Sequence, residues 1–162
     1  MIAIIDYKMG NLRSVENALH RLGAEYTVTA DHDTIRRADH VLLPGVGNCA
    51  EAMANLRAAA LPDVIRQLRQ PVLGICVGMQ VLCRRTEEGN ADCLGIFDAH
   101  VRRFPDSAEH KVPHVGWNTI ANLEKGLFKG MKGGTFVYFV HSYYAGLCPD
   151  TVATTRHGLM FS

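Results

Sequence analysis

Short apolar runs alternate with segments of helical periodicity over the first half of the chain. The apolar runs predict buried strands over residues 2–6, 25–29, 39–43 and 71–75. The periodic segments predict helices over residues 12–22, 49–68 and 77–85, the second of them broken near Pro62. Alternation of short strands with helices is typical of a parallel sheet covered by helices on both faces. We therefore predict a three-layer α/β fold.

The pattern changes after about residue 90, where polar turns rich in Gly, Pro and Asp separate short apolar runs. These runs predict strands over residues 96–104, 112–120, 135–142 and 151–155. We expect them to form a mixed or antiparallel layer that extends the parallel sheet. With no repeat or linker in the sequence, a single domain over residues 1–162 is predicted.

Composition narrows the class of protein without changing this fold. The chain is 48% hydrophobic and 20% charged, which is ordinary for a soluble globular domain. Its net charge of +1 comes with no basic patch, so no nucleic-acid partner is expected. No apolar run reaches the ~18 residues that cross a membrane, and the first residues lack the basic start of a signal peptide. A cytoplasmic protein without a membrane partner is the expectation.

The five cysteines are odd in number and have no C-x-x-C spacing. This argues against a disulfide framework and against a zinc site, so no metal is expected. Four of them are predicted to be packing residues, and only Cys76 stands out by its neighbours. The five are Cys49, Cys76, Cys83, Cys93 and Cys148.

Cys76 stands in the sequence Gly-Ile-Cys-Val-Gly, between a predicted strand and a predicted helix. This is the pattern of a nucleophile elbow with cysteine in the serine position. Such a turn is strained and needs small residues two before and two after the nucleophile, as Gly74 and Gly78 are. The turn also directs the sulfur toward the first N–H groups of a helix, which favours the thiolate. The alternative is a buried structural cysteine between two packing glycines.

Three loops fall at the carboxyl ends of the predicted strands, where open parallel sheets bind their ligands. They are residues 6–11, residues 44–48 and the elbow. A thiolate that attacks an acyl carbon needs donors for the developing oxyanion. The N–H of Val77 is one candidate, and the Gly-Val-Gly loop that contains Val46 and Gly47 is the other. The alternative for that loop is a plain turn after a strand.

The catalytic base cannot be assigned from the sequence. His141 ends an apolar run and His114 lies in a short predicted strand, so either could approach the crevice. A structural role is the alternative for both. No histidine is followed two residues later by a carboxylate, which would orient it along one strand face.

Five segments together resemble the class I (triad) glutamine amidotransferases, and more narrowly the glutaminase subunits of imidazole glycerol phosphate synthase. The resemblance runs from residue 1 to about residue 161. It rests on Met-Gly-Asn-Leu-Arg-Ser-Val (9–15), Leu-Pro-Gly-Val-Gly (43–47), Leu-Gly-Ile-Cys-Val-Gly-Met-Gln (73–80), Lys-Val-Pro-His-Val-Gly-Trp-Asn (111–118) and Tyr-Phe-Val-His-Ser-Tyr (138–143).

The resemblance implies hydrolysis of glutamine to glutamate and ammonia, without a cofactor. The ammonia would pass to a (β/α)₈ cyclase subunit that makes imidazole glycerol phosphate in histidine biosynthesis. Cys76 would form the glutamyl thioester, Gly47 and Gln80 would hold glutamine, and residues 46–47 would supply an oxyanion donor beside Val77. The residues implied to face the cyclase are Asn11, Trp117, Asn118, Tyr138 and His141.

Two departures from the family pattern qualify this implication. The family's catalytic His and Glu lie in a Gln-Phe-His-Pro-Glu segment, which does not occur in this sequence. We therefore expect the C-terminal end of the domain to be missing and the chain as given to be inactive. Lys8 also replaces a glycine usual after Tyr7. The alternatives are a non-catalytic module that docks on the cyclase, or another cysteine hydrolase of similar architecture.

Overall fold

A parallel sheet of four strands forms the centre of the first half, as predicted. The structure is a computed structural model that describes residues 1–123 and 126–162. The strands are β1 (Ile2–Ile5), β2 (Tyr26–Thr29), β3 (His40–Gly45) and β4 (Val72–Cys76). Their order is β2-β1-β3-β4, and each neighbouring pair is parallel. The carboxyl ends of β1, β3 and β4 therefore meet at one edge of the sheet.

Helices connect or follow these strands. They are α1 (Leu12–Arg21), α2 (His32–Arg37), α3 (Cys49–Ala58), α4 (Pro62–Gln67) and α5 (Val77–Gln80). Right-handed crossovers put α1 on one face of the sheet and α2, α3 and α4 on the other. The break at Pro62 is confirmed, because proline occupies the first turn of α4. Of the helices in the described residues, none is long and apolar enough to cross a membrane.

The main core lies between the sheet and the helices α2 to α4. Alternate residues of β1 point into it, since Ala3 and Ile5 are fully buried in this cluster. The helices contribute further fully or almost fully buried side chains: Ile35, Ala52, Met53, Leu56, Val64 and Ile65. The packing of an apolar helix face on alternating strand residues explains why the periodicity predicted these elements.

The predicted helix over residues 77–85 is wrong in length, since α5 ends at Gln80. The carbonyl groups that follow bind a later segment instead of continuing the helix. Those of Val81, Leu82 and Cys83 accept backbone hydrogen bonds of 2.8–3.0 Å from residues 94–97. Non-local pairing thus replaces local helix propensity at this point.

Short strands make up most of the later part of the chain. They are β5 (Arg85–Thr86), β6 (Ala91–Asp92), β7 (His100–Arg103), β8 (His114–Ile120), β9 (Thr135–His141), β10 (Tyr143–Ala145), β11 (Thr155–His157) and β12 (Leu159–Phe161). A short 3₁₀ helix spans Gly126–Phe128.

These strands form the predicted mixed layer, but they do so in separate sheets. One sheet has the order β10-β7-β5-β6, while β8 pairs with β9 and β11 pairs with β12. In the described residues none of their ladders joins the parallel sheet. The strand predicted over 151–155 is also misplaced, because β11 begins only at Thr155.

Candidate active site

Cys76 occupies the turn between β4 and α5, as the elbow pattern predicts. It is the last residue of the strand and the residue before the helix. Its φ of 56° and ψ of −118° lie in a region that side chains with a Cβ rarely adopt. The thiol is free and the residue is exposed. The thiol is thus presented to solvent by a strained backbone, which is the geometry that the elbow pattern predicts.

The glycines around Cys76 are required by close backbone packing. A Cβ on Gly74 would lie 2.6 Å from the Met79 Cα. A Cβ on Gly78 would overlap the carbonyl oxygen of Leu43 in β3. Both positions therefore need glycine so that α5 can lie directly against the sheet.

The loop after β3 lies directly beside the elbow. Gly45 is the register partner of Cys76 in the β3–β4 ladder. A Cβ on Gly45 would be 2.5 Å from the backbone nitrogen of Gly78, so the two turns are in contact. Val46 and Gly47 come next and are exposed, and Gly47 has a φ of 85°. The loop that contains Val46 and Gly47 therefore lies at the same sheet edge as Cys76.

Tyr7 holds this loop from the carboxyl end of β1. Its side chain is buried, and its hydroxyl donates a 2.8 Å hydrogen bond to the carbonyl oxygen of Pro44. Burial, with the nearby thiols of Cys49 and Cys76 as smaller causes, raises the pKa of Tyr7 above its usual value. Tyr7 therefore remains a neutral donor. Sequence reasoning placed Tyr7 in the 6–11 loop at the expected ligand crevice but gave its side chain no role.

Gln80 lies on α5 and is buried, with 5% of its surface exposed. Its Nε2 donates a 3.1 Å hydrogen bond to the carbonyl oxygen of Tyr143 in β10. The side chain of Gln80, which is predicted to bind glutamine, is thus hydrogen-bonded to the sheet that contains β10. Its Oε1 takes no part in this bond.

His114 and His141 form a directional hydrogen-bond chain that ends on the same Tyr143 carbonyl. His141 Nδ1 donates to that oxygen at 2.9 Å, since a carbonyl can only accept. In the neutral ring, Nε2 must then accept, and it does so from His114 Nδ1 at 2.9 Å. His114 Nε2 in turn accepts from Asn118 Nδ2 at 3.4 Å. This series of hydrogen bonds connects β8 and β9 to the Tyr143 carbonyl oxygen, which also accepts from Gln80.

The surroundings keep both imidazoles of this chain neutral. Burial, followed by the charges of His157 and His141, lowers the pKa of His114 to about 4. Burial also lowers the pKa of His141, against the opposing effect of its bond to Tyr143. Among the described residues, no histidine forms a hydrogen bond with the Cys76 thiol. The ring nitrogens of both candidate bases, His114 and His141, are therefore engaged in hydrogen bonds with other residues of the fold.

The five residues expected to face a partner do not lie on one surface. Four of them lie on the two faces of the β8–β9 hairpin and one lies at the start of α1. Trp117 and Tyr138 are register partners on its outer face, exposed to 69% and 56%. Asn118 and His141 lie on the inner face in the chain just described. Asn11 lies elsewhere, exposed at the start of α1, where its side chain accepts from the Ser14 N–H at 3.2 Å.

Comparison with known proteins identifies the family. The family model described as glutamine amidotransferase class-I matches residues 3–158. The chain belongs to the class I glutamine amidotransferases. In the parts of the amidotransferase that the structure describes, no group of three or more His, Cys, Asp or Glu side chains is arranged to hold a metal ion.

Several curated relatives of this amidotransferase are subunits of one enzyme. The imidazole glycerol phosphate synthase subunit HisH of Bacteroides fragilis is 52% identical over 162 residues, which are 99% of this chain and 83% of that protein. The subunit of the same name from Dehalococcoides mccartyi is 48% identical over 168 residues, covering 99% of this chain and 81% of that protein.

Solved structures support the amidotransferase fold. A glutamine amidotransferase crystal structure superposes with a TM-score of 0.71 at 19% identity, over 98% of this chain and 86% of that one. A putative GMP synthase subunit from Thermoplasma acidophilum gives a TM-score of 0.66 at 21% identity, over 97% of this chain and 77% of that one. At these identities the likeness concerns the fold alone.

Proposed function

We propose that this chain hydrolyses glutamine to glutamate and ammonia as the glutaminase subunit of an imidazole glycerol phosphate synthase. The observation that carries the proposal is the exposed Cys76 on its strained elbow beside the 44–48 loop, in a chain of this family. The names of the relatives support the choice of enzyme, since those proteins are HisH subunits of that synthase.

In the proposed reaction the Cys76 thiolate attacks the side-chain amide carbon of glutamine. The negative charge that develops on the amide oxygen is stabilised by the N–H of Val77 and by an N–H of the Val46–Gly47 segment. Collapse of this intermediate expels ammonia and leaves a glutamyl thioester on Cys76. Water then attacks the thioester, releases glutamate and restores the thiol. No step calls for a cofactor.

Departure of ammonia and activation of the water both need a proton-transfer group. His114 and His141 are not proposed for this role, because their ring nitrogens are engaged with each other, Asn118 and Tyr143. We propose instead that the histidine of a Gln-Phe-His-Pro-Glu segment, which the family resemblance implies, serves as the base. That segment does not occur among the 162 residues.

We further propose that the outer face of the β8–β9 hairpin docks on the cyclase subunit. This face carries Val115, Trp117, Phe136, Tyr138 and Val140, which are apolar or aromatic and each more than half exposed. Contiguous exposed apolar surface of this kind is typical of protein–protein interfaces. Trp and Tyr are also the residues most often found at the energetic centre of an interface.

The test of glutamine hydrolysis uses this chain extended by a segment that contains Gln-Phe-His-Pro-Glu, purified in complex with the cyclase, and replaces Cys76 by serine. We expect Cys76→Ser to abolish product formation from glutamine and to leave formation from ammonium intact, because only hydrolysis needs a thiolate. Cys148→Ser is the matched control, since Cys148 is partly exposed but lies outside the elbow. It should retain turnover with both nitrogen sources.

Two results would contradict the assignment. Glutamine-dependent turnover of Cys76→Ser at about a tenth or more of the unsubstituted rate would remove Cys76 from the mechanism. A complex that uses ammonium but never glutamine, whether or not Cys76 is present, would favour the non-catalytic docking module.

A further inference from the structure

Two buried thiols that the proposed reaction does not use are in contact in the main core. The Sγ atoms of Cys49 and Cys93 lie 3.8 Å apart, although the residues are 44 positions apart in sequence. Cys49 is fully buried at the first position of α3, and Cys93 follows β6 with 6% of its surface exposed. The fold therefore brings together a pair that cysteine spacing could not predict.

The segments that carry the two thiols are held rigidly against each other. The N–H of Cys49 donates a 2.7 Å hydrogen bond to a carboxylate oxygen of Glu88, in the turn between β5 and β6. A Cβ on Gly89 would be 2.5 Å from the Ala50 Cβ, so this turn lies directly on α3. Farther along α3, Arg57 donates to the carbonyl oxygen of Asp92 at 2.7 Å. The contact between the sulfurs is thus fixed on both sides.

The two thiols also differ in their surroundings. The Cys49 and Cys93 thiols share a hydrogen bond, and this contact, with Arg57 nearby, lowers the pKa of Cys93. The same bond, together with burial, raises the pKa of Cys49. Cys93 is also the more accessible of the two. We therefore expect Cys93 to be the thiol that reacts first with an oxidant.

We propose that Cys49 and Cys93 form a reversible dithiol–disulfide site that is oxidised by peroxides. The Cys93 thiolate attacks one peroxide oxygen and becomes a sulfenic acid, and the other oxygen leaves as water. The Cys49 sulfur then attacks the Cys93 sulfur, which releases the second oxygen as water and forms the disulfide. In total two thiols and one hydrogen peroxide give one disulfide and two waters.

The short distance between the two sulfurs favours this bond. A disulfide needs its sulfurs at about 2.05 Å, so the two must approach by less than about 2 Å. The product would fix the first turn of α3 against the β5–β6 turn. Since α3 begins directly after the 44–48 loop, the bond would also anchor one end of that loop. The proposal does not depend on glutamine hydrolysis, because neither thiol belongs to the elbow.

The test uses folded Cys76→Ser protein, which removes the exposed thiol, treated with a small excess of hydrogen peroxide. We expect the intact mass to fall by two hydrogen atoms and the mass to be restored by dithiothreitol. Proteolysis without reduction should give one cross-linked peptide pair, which contains Cys49 and Cys93. Circular dichroism before and after treatment verifies that the reaction occurs in the folded state.

Two further variants in the same background separate the pair from its neighbours. Cys93→Ser should lose the two-hydrogen change, while Cys83→Ser should keep it in full, since the Cys83 thiol donates to the backbone oxygen of Met79, at 4.0 Å, and belongs to a different hydrophobic cluster from the pair. If Cys93→Ser does not fold, the peptide map of the parent protein still decides. Added oxygen without a cross-link, a cross-link through Cys83 or Cys148, or no reaction at all would each overturn the proposal.

Discussion

Cys76 adopts a conformation that only its surroundings can maintain. A cysteine with a φ of 56° is disfavoured by of order 1–3 kcal/mol, so the neighbouring contacts must impose it. The main contacts are those that glycine makes possible, at Gly74 and Gly78. Placement of the nucleophile thus depends on backbone packing as much as on the cysteine itself.

Gly78→Ala tests whether this close packing of glycine against β3 is needed for stability. Alanine is favoured over glycine in a helix by about 1 kcal/mol, so propensity alone would stabilise the variant. Its Cβ, however, would overlap the Leu43 carbonyl oxygen, and relief of such overpacking typically costs about 1–3 kcal/mol. We expect the clash to dominate and urea denaturation to give a lower free energy of unfolding.

Gly133→Ala is the matched control, because nothing lies within 4 Å of the Cβ it would add. Its free energy of unfolding should stay within about 0.5 kcal/mol of the parent value. Equal stabilities of the two variants would mean that α5 is not held against β3 as described.

The elbow could be predicted from sequence because its requirement is local: small residues on both sides of one nucleophile. The backbone conformation at Lys8 could not be predicted in this way. Lys8 has a φ of 64°, a region that favours glycine, and its N–H is bound by the Asp6 carboxylate at 3.0 Å. Lysine thus adopts a turn conformation that favours glycine, and only the structure reveals the local hydrogen bond that supports it.

The boundaries of helices and strands were predictable where periodicity or a proline marked them. They were not predictable where hydrogen bonds to a distant segment replace those of a helix. The strands β1 to β4 and the helices α1, α3 and α4 were all predicted. The helix α2 was missed because only Ile35 of its six residues is buried, so it has no apolar period. Its start is marked by Asp31, whose side chain accepts from the Thr34 N–H at 2.8 Å.

The histidine chain between β8, β9 and β10 should make stability depend on pH. His114 is stacked on His157, with ring centroids 4.2 Å apart, and is hydrogen-bonded to His141. A proton that charges His114 is therefore unfavourable beside these two imidazoles. Unfolded histidine binds a proton near pH 6.5, whereas folded His114 has a pKa of about 4. Between these values the unfolded state binds more protons, and stability is lost as the pH falls.

We therefore predict that His114→Phe reduces the decrease in thermal midpoint between pH 6.5 and pH 4. Phenylalanine keeps a ring in the stack but cannot titrate. The midpoint of the parent protein and the variant should be measured at several pH values, so that carboxylate effects common to both cancel. His20→Gln, at an exposed position of α1, should retain the parent slope. Identical slopes for His114→Phe and the parent would exclude His114 as the cause.

For the molecule as a whole, the three layers and the meeting of three loops at one sheet edge followed from the sequence. The division of the later strands into separate sheets did not, because strand pairing depends on contacts far apart in the chain. The same is true of the contact between Cys49 and Cys93. Local pattern thus predicted most of the elements of the first half and the position of the Cys76 elbow, while the pairing of the later strands depends on contacts that the sequence pattern does not reveal.

The exposed outer face of the β8–β9 hairpin gives the last prediction, on assembly with the cyclase. Trp117 packs edge-on against Tyr138, with ring centroids 5.5 Å apart, but is 69% exposed and contributes little to the core. We expect Trp117→Ala to keep the thermal midpoint of the isolated chain and to weaken cyclase binding at least about ten-fold, as loss of an interface hot spot does. Leu22→Ala, which truncates a 78% exposed residue after α1, should change neither quantity. Titration calorimetry with the cyclase and a thermal melt of each variant measure the two effects. Unchanged binding by Trp117→Ala would exclude Trp117 from the docking surface, and a collapse of its midpoint would mean that Trp117 serves the fold of the chain.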